Sequence, residues 1–255
     1  MSASLRIEGF RLLCRDVPAT ARFYEAALGA RSGAAADGSP SMGIGSGMLD
    51  LARAATGSAP ARSNSTAFQH LALVVSDMAA AMSRLASVTG WSSISRTGPE
   101  RLPEESGGVT AFKFRDPEGH PLEFLAFLPH ACPERWRGCD GVILGIDHSA
   151  ITVCDVARSI AFYGSLGLSV ASRQVNRGAA QERMDDVDGA VVDVVALAFP
   201  HASGPHLELL HYRVPGTHAE PVADDDVLAT RIRLEGGNPR DLPSVDPDGH
   251  RLCAA

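Results

Sequence analysis

The chain has 255 residues, of which 45% are hydrophobic and 21% charged, a composition typical of a globular protein with one large domain or two ordinary ones. Its formal net charge of −7 excludes the clustered positive charge that nucleic-acid binding requires, and no apolar run approaches the ~20 residues of a membrane span. The N-terminus lacks an export signal, so we expect a cytoplasmic protein with reduced cysteines and with neither a nucleic-acid nor a membrane partner.

The first half of the chain predicts two modules of the same βαβββ order. Residues 5–53 contain a strand, a short helix within DVPATARFYEAALGA (16–30), and further strands ending in MLDLAR. Asp16 is predicted to cap the start of this helix and Gly29 to end it. Residues 67–128 repeat the order with the strand HLALVV, a helix over 77–88 and strands ending in PLEFLAF.

The second half repeats the first. Residues 145–213 contain the phrase DVARSIAFYGSLGLS (155–169), which matches the first helix in its Asp-Val start, Phe-Tyr pair and Leu-Gly stop. Residues 218–255 contain one strand-like stretch but no convincing helix, so the fourth module is predicted to be reduced. The domains are predicted over 1–130 and 142–255, joined by a linker within 130–141.

Each half closes on a similar phrase, RDPEGHPLEF from Arg115 and VDPDGHRLCA from Val245. The proline presets φ and the glycine supplies a positive φ, so each phrase predicts a tight turn between two antiparallel strands. His120 and His250 follow the glycine of their turns and are predicted to stabilise the turns.

A histidine begins the first strand of modules two and three, seven residues before the aspartate that caps the following helix. These are His70 before Asp77 and His148 before Asp155. Each of the two modules also carries a glutamate on its last strand. Neutral imidazole and carboxylate oxygen together suit a divalent metal ion, although a lone histidine at a strand end is more often structural.

Four βαβββ modules with this histidine and glutamate pattern resemble the vicinal oxygen chelate superfamily of glyoxalases, bleomycin-resistance proteins and extradiol dioxygenases. The resemblance covers nearly the whole chain and is carried by HLALVVSD, DHSAITVCDVARSIAFYGSLGL and DPEGHPLEF. It implies an α+β fold in which tandem modules pair into two open cups. It also implies a small-molecule ligand or substrate in a cup, with metal ligands on the first and last strands of the modules.

Carried over residue by residue, the resemblance implies a divalent metal, Zn, Ni, Mn, Co or Fe(II), and a set of residues that would hold it. Module one has Gly9 at the first-strand position, and module four has Thr230 there on a weak alignment. At the last-strand position these modules have Asp50 and Cys253. His206 shares a strand face with the glutamate of its strand. The predicted metal ligands are His70, Glu123, His148 and Glu208, and the predicted pocket residues are Asp50, His206, Thr230 and Cys253.

Two module pairings are open. The usual one in the family joins module one with two and three with four, and would divide the four ligands between two cups. Neither cup would then hold the two-histidine, one-carboxylate triad of oxygen-activating iron sites. The other joins modules two and three, within one chain or between subunits of a homodimer, and gathers all four ligands as in a glyoxalase-type lyase. Family habit favours the usual pairing.

The sequence therefore leaves three functions open. The first is a protein that binds a small molecule in a concave sheet pocket and uses a divalent metal as a lyase or isomerase. The second is a metal-free binding protein similar to the bleomycin-resistance proteins, which the residues Gly9, Thr230 and Cys253 at ligand positions favour. The third is a ring-cleaving extradiol dioxygenase, against which the missing second histidine counts under the usual pairing.

Overall fold

The computed structural model describes residues 5–35, 37–200 and 202–255. His201, a histidine that we expect at the surface, lies outside the described residues. The strands are β1 (Arg6–Cys14), β2 (Arg31–Ala34), β3 (Pro40–Ile44), β4 (Gly47–Arg53), β5 (Gln69–Val75), β6 (Ser92–Ser93), β7 (Glu100–Arg101), β8 (Thr110–Arg115), β9 (Pro121–Ala126), β10 (Ile143–Thr152), β11 (Ser169–Arg177), β12 (Val191–Ala198), β13 (His206–Val214), β14 (Arg231–Glu235) and β15 (Arg251–Ala254). The helices are α1 (Val17–Leu28), α2 (Met78–Ala86), α3 (Val156–Ser165) and α4 (Ala179–Asp185).

The strands form two sheets, and each sheet combines two modules. The small sheet has six strands in the order β15-β14-β1-β4-β3-β2, from modules one and four. The large sheet has nine strands, from modules two and three, with the path β11-β12-β13-β10-β5-β9-β8-β6 and with β7 paired to β8. These tandem modules confirm the predicted α+β fold.

The pairing of modules differs from the usual one that family habit favours. The first strands of modules two and three, β5 and β10, lie side by side and antiparallel, and β1 of module one pairs in the same way with β14 of module four. Local sequence patterns do not specify which first strands become neighbours. Each of these strands has an apolar face toward the core, so each could form a strand pair with any of the others. Both sheets thus cross the boundary between 1–130 and 142–255, and folding of the two segments as separate domains stays a prediction.

The predicted helix caps are confirmed. Asp16, Asp77 and Asp155 each accept a hydrogen bond at 2.9–3.1 Å from a backbone N–H in the first turn of α1, α2 and α3. Gly29 ends α1 in the left-handed conformation that favours glycine. Helix α2 ends at Ala86, two residues earlier than predicted. In the described part of module four, β14, one 3-10 turn and β15 remain, which confirms that the module is reduced.

The two Asp-Pro turns differ in what they connect. The first joins β8 and β9, which are antiparallel as predicted. The second does not join two antiparallel strands, because β14 and β15 are parallel and a single antiparallel bridge between Val245 and Arg251 spans the turn. The shortened fourth module lacks the strand that would precede the turn. In both halves a buried tyrosine of the helix donates to the turn aspartate, from Tyr24 to Asp116 at 3.1 Å and from Tyr163 to Asp246 at 2.9 Å.

The largest apolar core lies between helices α1, α2 and α3 and one face of each sheet. It contains Phe10 and Leu12 of the small sheet, Leu71 and Phe124 of the large sheet and Phe23 of α1. Alternation along each strand turns the neighbouring residues to the opposite, open face. Of the described helices, none is long and apolar enough to cross a membrane.

Candidate metal centre

Four neighbouring strands of the large sheet, in the order β13-β10-β5-β9, carry the predicted metal ligands. Glu208, His148, His70 and Glu123 lie on these strands in that order, and we refer to them as the metal-ligand group. Three residues that directly follow a ligand in sequence pack in the shared core: Leu71, Phe124 and Leu209. Because side chains alternate between the two faces of a strand, the ligands lie on the opposite, open face.

Two alanines form the floor beneath this group. The strand register arranges the ligands in two cross-strand rows, and each row has an alanine between its two ligands. Ala72 and Ala150 are fully buried, and their methyl groups leave the space above them to the longer side chains on either side. The rows are Glu123–Ala72–His148 and His70–Ala150–Glu208.

The ligand atoms converge above this floor. His70, Glu123 and His148 each offer one atom within 4.8 Å of the other two. Nε2 of His70 lies 2.9 Å from Oε2 of Glu123, and Nε2 of His148 lies 3.9 Å from the same oxygen. Glu208 joins from the mouth, with Oε2 3.5 Å from Nε2 of His148. Modules two and three thus bring all four predicted ligands together.

The ring of His70 tests whether the group fits a metal. The side chain is 2% exposed, yet neither ring nitrogen has a hydrogen-bond partner within the described part of the chain. The contact with Glu123 is short enough for a hydrogen bond, but the two atoms lack the alignment of one. Burying an imidazole nitrogen without a partner is unfavourable. A cation between these atoms would satisfy both side chains, so the residues fit a divalent metal.

Electrostatics in the group also favour a cation. Burial alone would lower the pKa of His148, but Glu208, Asp147 and Glu123 outweigh it and raise the pKa to about 9. Burial alone would raise the pKa of Glu123, but Lys113 and the two histidines lower it to about 2. Despite its burial, the pKa of Glu208 is lowered as well by His148 and His206, so both glutamates favour the ionised form that a cation requires.

Asp147 orients one of the imidazoles from behind. Its Oδ2 lies 2.9 Å from Nδ1 of His148, which leaves Nε2 facing the group. Asp147 is itself held by Arg135 and by the indole N–H of Trp136 at 3.2 Å. Asp147, His148 and His206 form a second cluster with metal-ligand spacing. Because Nδ1 of His148 contacts Asp147 while its Nε2 faces Glu123 and Glu208, we assign Asp147 to orientation of the ring.

A family model described as the Glyoxalase/Bleomycin resistance protein/Dioxygenase superfamily matches residues 6–124 and 145–251. The chain belongs to this superfamily. No curated protein matches the sequence significantly.

Solved structures with this fold include glyoxalase I from Zea mays, at 15% identity and a TM-score of 0.61, covering 98% of this chain and 91% of that one. The V278E mutant of the same enzyme gives 16% identity and a TM-score of 0.61 with the same coverage. A putative dioxygenase from Bacillus subtilis subsp. subtilis str. 168 gives 14% identity and a TM-score of 0.49, covering 96% of this chain and 73% of that one. At these identities the likeness to the two Zea mays structures shows the fold alone.

In this superfamily member the metal-ligand group lies in a cavity of about 340 Å³ on the open face of the large sheet. His206 lines the same cavity, with Nε2 3.5 Å from Oε1 of Glu208. Asp50 and Cys253 lie on the small sheet instead, and Thr230 immediately precedes its strand β14. The predicted pocket residues are thus divided between two faces.

The register of the small sheet also corrects the alignment of module four. In the large sheet, each histidine lies opposite the residue two positions after the other histidine, which is an alanine. In the small sheet, Gly9 lies opposite Arg233 and Arg11 lies opposite Arg231, so Gly9 and Arg231 occupy the two histidine positions. The position equivalent to His70 is therefore Arg231 and not Thr230. A shift of one residue along a strand turns the side chain to the other face.

A buried pair in the cavity wall, Lys113 and Asp185, is not predicted by the sequence. Nζ of Lys113 lies 2.7 Å from Oδ1 of Asp185, and both side chains are at most 3% exposed. Lys113 lies opposite Glu123 in the β8–β9 ladder, whereas Asp185 comes from α4, far away in sequence. The only sequence signal for this pair is a lysine between two phenylalanines in a strand, FKF, which suggests a buried charge. The sequence around Asp185 gives no such signal.

Proposed function

We propose that this protein is a divalent-metal-dependent lyase or isomerase that acts on a small molecule bound in the cavity of the large sheet. The observation that carries the proposal is the convergence of the metal-ligand group above the two-alanine floor, with the ring nitrogens of His70 left without hydrogen-bond partners in the described part of the chain. The relatedness to glyoxalase I in fold supports the reaction class as an analogy.

The residues suggest distinct roles. When bound, the metal supplies Lewis-acid polarisation of a substrate oxygen. Glu208 is the carboxylate nearest the mouth, with a side chain 21% exposed against 7% for Glu123. Glu208 is therefore the group placed to accept a proton from a substrate carbon and to return it to the neighbouring carbon. The apolar wall around it would keep bulk water from exchanging that proton.

A specific observation favours a second candidate, a ring-cleaving dioxygenase. With modules two and three paired, His70, His148 and Glu123 provide the two-histidine, one-carboxylate set that the usual pairing would have divided. The objection drawn from the sequence therefore no longer holds. Glu208 favours the lyase or isomerase over the dioxygenase. As a fourth protein ligand it would occupy a coordination position that an oxygen-activating iron site leaves open.

The test is the metal content per chain of untagged protein, purified without chelators and then exposed to Zn, Ni, Mn, Co or Fe(II). We expect near-stoichiometric metal that is lost in both the His70→Ala and the His148→Ala variant. Cys253→Ser is the matched control, since Cys253 is the small-sheet counterpart of Glu123, and it should keep its metal. A protein that binds none of these ions would overturn the proposal and favour the metal-free binding protein.

Oxygen uptake distinguishes the two enzymes. Protein loaded with Fe(II) and given catechol should consume no oxygen if the site is a lyase or isomerase. Uptake that disappears in His148→Ala would assign the dioxygenase instead. Cytoplasmic location and a homodimer stay predictions, and the complete ligand set within one chain removes the need for a partner subunit to supply one.

A further inference from the structure

The charges that line the cavity point to the kind of molecule it accepts. Within the described part of the chain, the lysine and arginine side chains that line the cavity are Lys113 and Arg135. A substrate with carboxylate or phosphate groups needs cations that are free to meet them. Whether these two cations are free therefore decides whether the cavity suits an anionic substrate.

Lys113 is neutralised from inside the protein. Its ammonium lies 2.7 Å from the carboxylate of Asp185. That carboxylate is fixed by Tyr212, whose hydroxyl donates to Oδ2 at 2.7 Å, and by the amide nitrogen of Gln181 at 2.6 Å. All four side chains are buried, so turning Lys113 toward a ligand would leave Asp185 as a buried charge without its counter-ion.

Arg135 is neutralised at the rim. One guanidinium nitrogen donates to Asp147, another donates to the backbone carbonyl of Gly204 at 3.1 Å, and the guanidinium lies 4.8 Å from the centre of the Trp136 ring. Asp147 in turn holds His148. Releasing Arg135 to a substrate would disturb the orientation of a metal ligand.

The remaining wall consists of apolar side chains and of polar side chains without a permanent positive charge, among them Ser106 and Gln174. Two neutral amides, Asn176 and Gln181, each have a side-chain oxygen without a hydrogen-bond donor in the described part of the chain. For Gln181 the amide orientation is fixed, because its nitrogen faces a carboxylate that can only accept. These oxygens add negative potential that disfavours an anion. The apolar lining consists of Leu102, Val109, Leu125, Phe127, Met184, Val192, Val194 and Leu210.

We infer that the cavity selects a compact substrate with an uncharged, apolar body along the wall, and that it rejects molecules whose body carries carboxylate or phosphate groups. The placement of a substrate oxygen at the metal-ligand group rests on the proposed function; the neutral body rests on the wall alone. With two carboxylate ligands balanced by a divalent ion and both wall cations paired, the loaded cavity has no net positive charge to offer.

Two probes that share a chelating head test this inference. Benzohydroxamate presents a neutral ring to the wall, and 4-carboxybenzohydroxamate presents a carboxylate there. Titration calorimetry on the metal-loaded protein should give an affinity at least about tenfold higher for benzohydroxamate, because the carboxylate would lose its hydration without gaining a cation. Equal affinities, or a preference for the carboxylate, would overturn the inference. So would failure of the loaded protein to bind benzohydroxamate.

Variants change the charge of the wall in a known direction. Asp185→Asn leaves Lys113 without its counter-ion and should raise the affinity for the carboxylate probe about tenfold relative to the affinity for benzohydroxamate. Asp193→Asn is the matched control, since Asp193 lies on β12 of the same sheet and pairs with Arg213 outside the cavity. Gln174→Lys adds a cation at a half-buried lining position and tests the same direction without disturbing the buried pair.

The same titrations on metal-free protein separate the two proposals. Benzohydroxamate that binds equally well with and without metal would overturn the proposed metal-dependent function. The ratio between the two probes would still decide the inference about the wall. A carboxylate probe that gains nothing in either Asp185→Asn or Gln174→Lys would show that charge in the wall does not set selectivity, and would overturn the inference.

Discussion

Ala72 and Ala150 on the floor of the large sheet correspond by strand register to Arg233 and Arg11 on the open face of the small sheet. Around the alanines lie two imidazoles and two carboxylates. At the strand positions paired with the arginines lie Gly9, Arg231, Cys253 and Asp50. The duplicated scaffold is the same on both sheets, and the chemistry at corresponding positions is opposite.

The small sheet supplies from its own chain the positive charge that, under the proposed function, a metal ion supplies to the large sheet. Asp50 is fully buried, and its Oδ2 lies 2.6 Å from Arg233 and 3.4 Å from Arg11. Two guanidinium groups thus extend from the floor into the region where the other sheet leaves room above its alanines. The residue two positions after the ligand position thus sets how much room and how much positive charge the floor of each sheet presents.

The largest expected effect comes from copying the arginine into the large sheet. Ala72→Arg should abolish metal binding, a loss of more than about 100-fold in affinity, because the guanidinium would pair with Glu123 and repel a divalent ion. Metal content and calorimetric titration measure it. Ala72→Met adds similar bulk without charge and separates the two causes. Retention of stoichiometric metal by a folded Ala72→Arg variant would contradict the comparison.

The reverse change tests the small sheet. Arg233→Ala should reduce the free energy of unfolding by about 3 kcal/mol, because the buried Asp50 would keep only its longer contact, with Arg11 at 3.4 Å. Metal content should not change. Urea denaturation gives the stability, and combining Arg233→Ala with Asp50→Leu should recover part of the loss by removing the stranded charge. A double variant less stable than the single one would show that Asp50 contributes in another way.

A smaller effect is expected from the residue before each ligand position. Asp147 precedes His148 and holds its ring, whereas Glu8 precedes Gly9 and pairs with Arg233 at 3.1 Å. Asp147→Asn should weaken metal binding about 10–100-fold, since outer residues orient metal-ligating histidines. Competition with a chelator measures this. Glu8→Gln is the matched control and should leave the metal affinity within about twofold, because Glu8 contacts no member of the metal-ligand group.

Much of the fold and of the candidate site can be predicted from the sequence where a local anchor exists. The capping aspartates Asp77 and Asp155 fix the count back to His70 and His148, and the Asp-Pro turn fixes the count forward to Glu123. Module four has no helix and hence no capping residue, so the count there was wrong by one and selected Thr230 in place of Arg231. A strand has a period of two, and such a shift exchanges its faces.

Contacts between segments that are distant in sequence could not be predicted from the sequence. Nothing in the local pattern of β5 or β10 specifies that these strands pair with each other, because both present apolar residues to the core. Asp185 belongs to a short helix after Gly178, in a segment rich in polar residues that predicts no element. Its partner Lys113 is 72 residues away in sequence, so only the folded chain brings the pair together.

The smallest expected effect compares the two Asp-Pro turns. His120 and His250 each place Nε2 2.9 Å from the carbonyl oxygen of the neighbouring first strand. Among the described residues, His120 also contacts its turn carboxylate, with Nδ1 2.8 Å from Oδ2 of Asp116, whereas the ring of His250 has no such contact. Burial alone would lower the pKa of His120, but Asp116 outweighs it and the pKa is raised.

A raised folded-state pKa means that protonated His120 stabilises the fold. This contribution is full below the unfolded pKa of about 6.5 and is lost as the pH rises through the folded-state value. His120→Asn should therefore reduce the free energy of unfolding by about 1–2 kcal/mol at pH 6 and by less at pH 9, measured by urea denaturation. His250→Asn is the control and should keep the wild-type pH dependence, because it leaves the His120–Asp116 pair intact. Equal losses at both pH values in His120→Asn would mean that the imidazole acts through its shape and its carbonyl contact, and the two turns would then be equivalent.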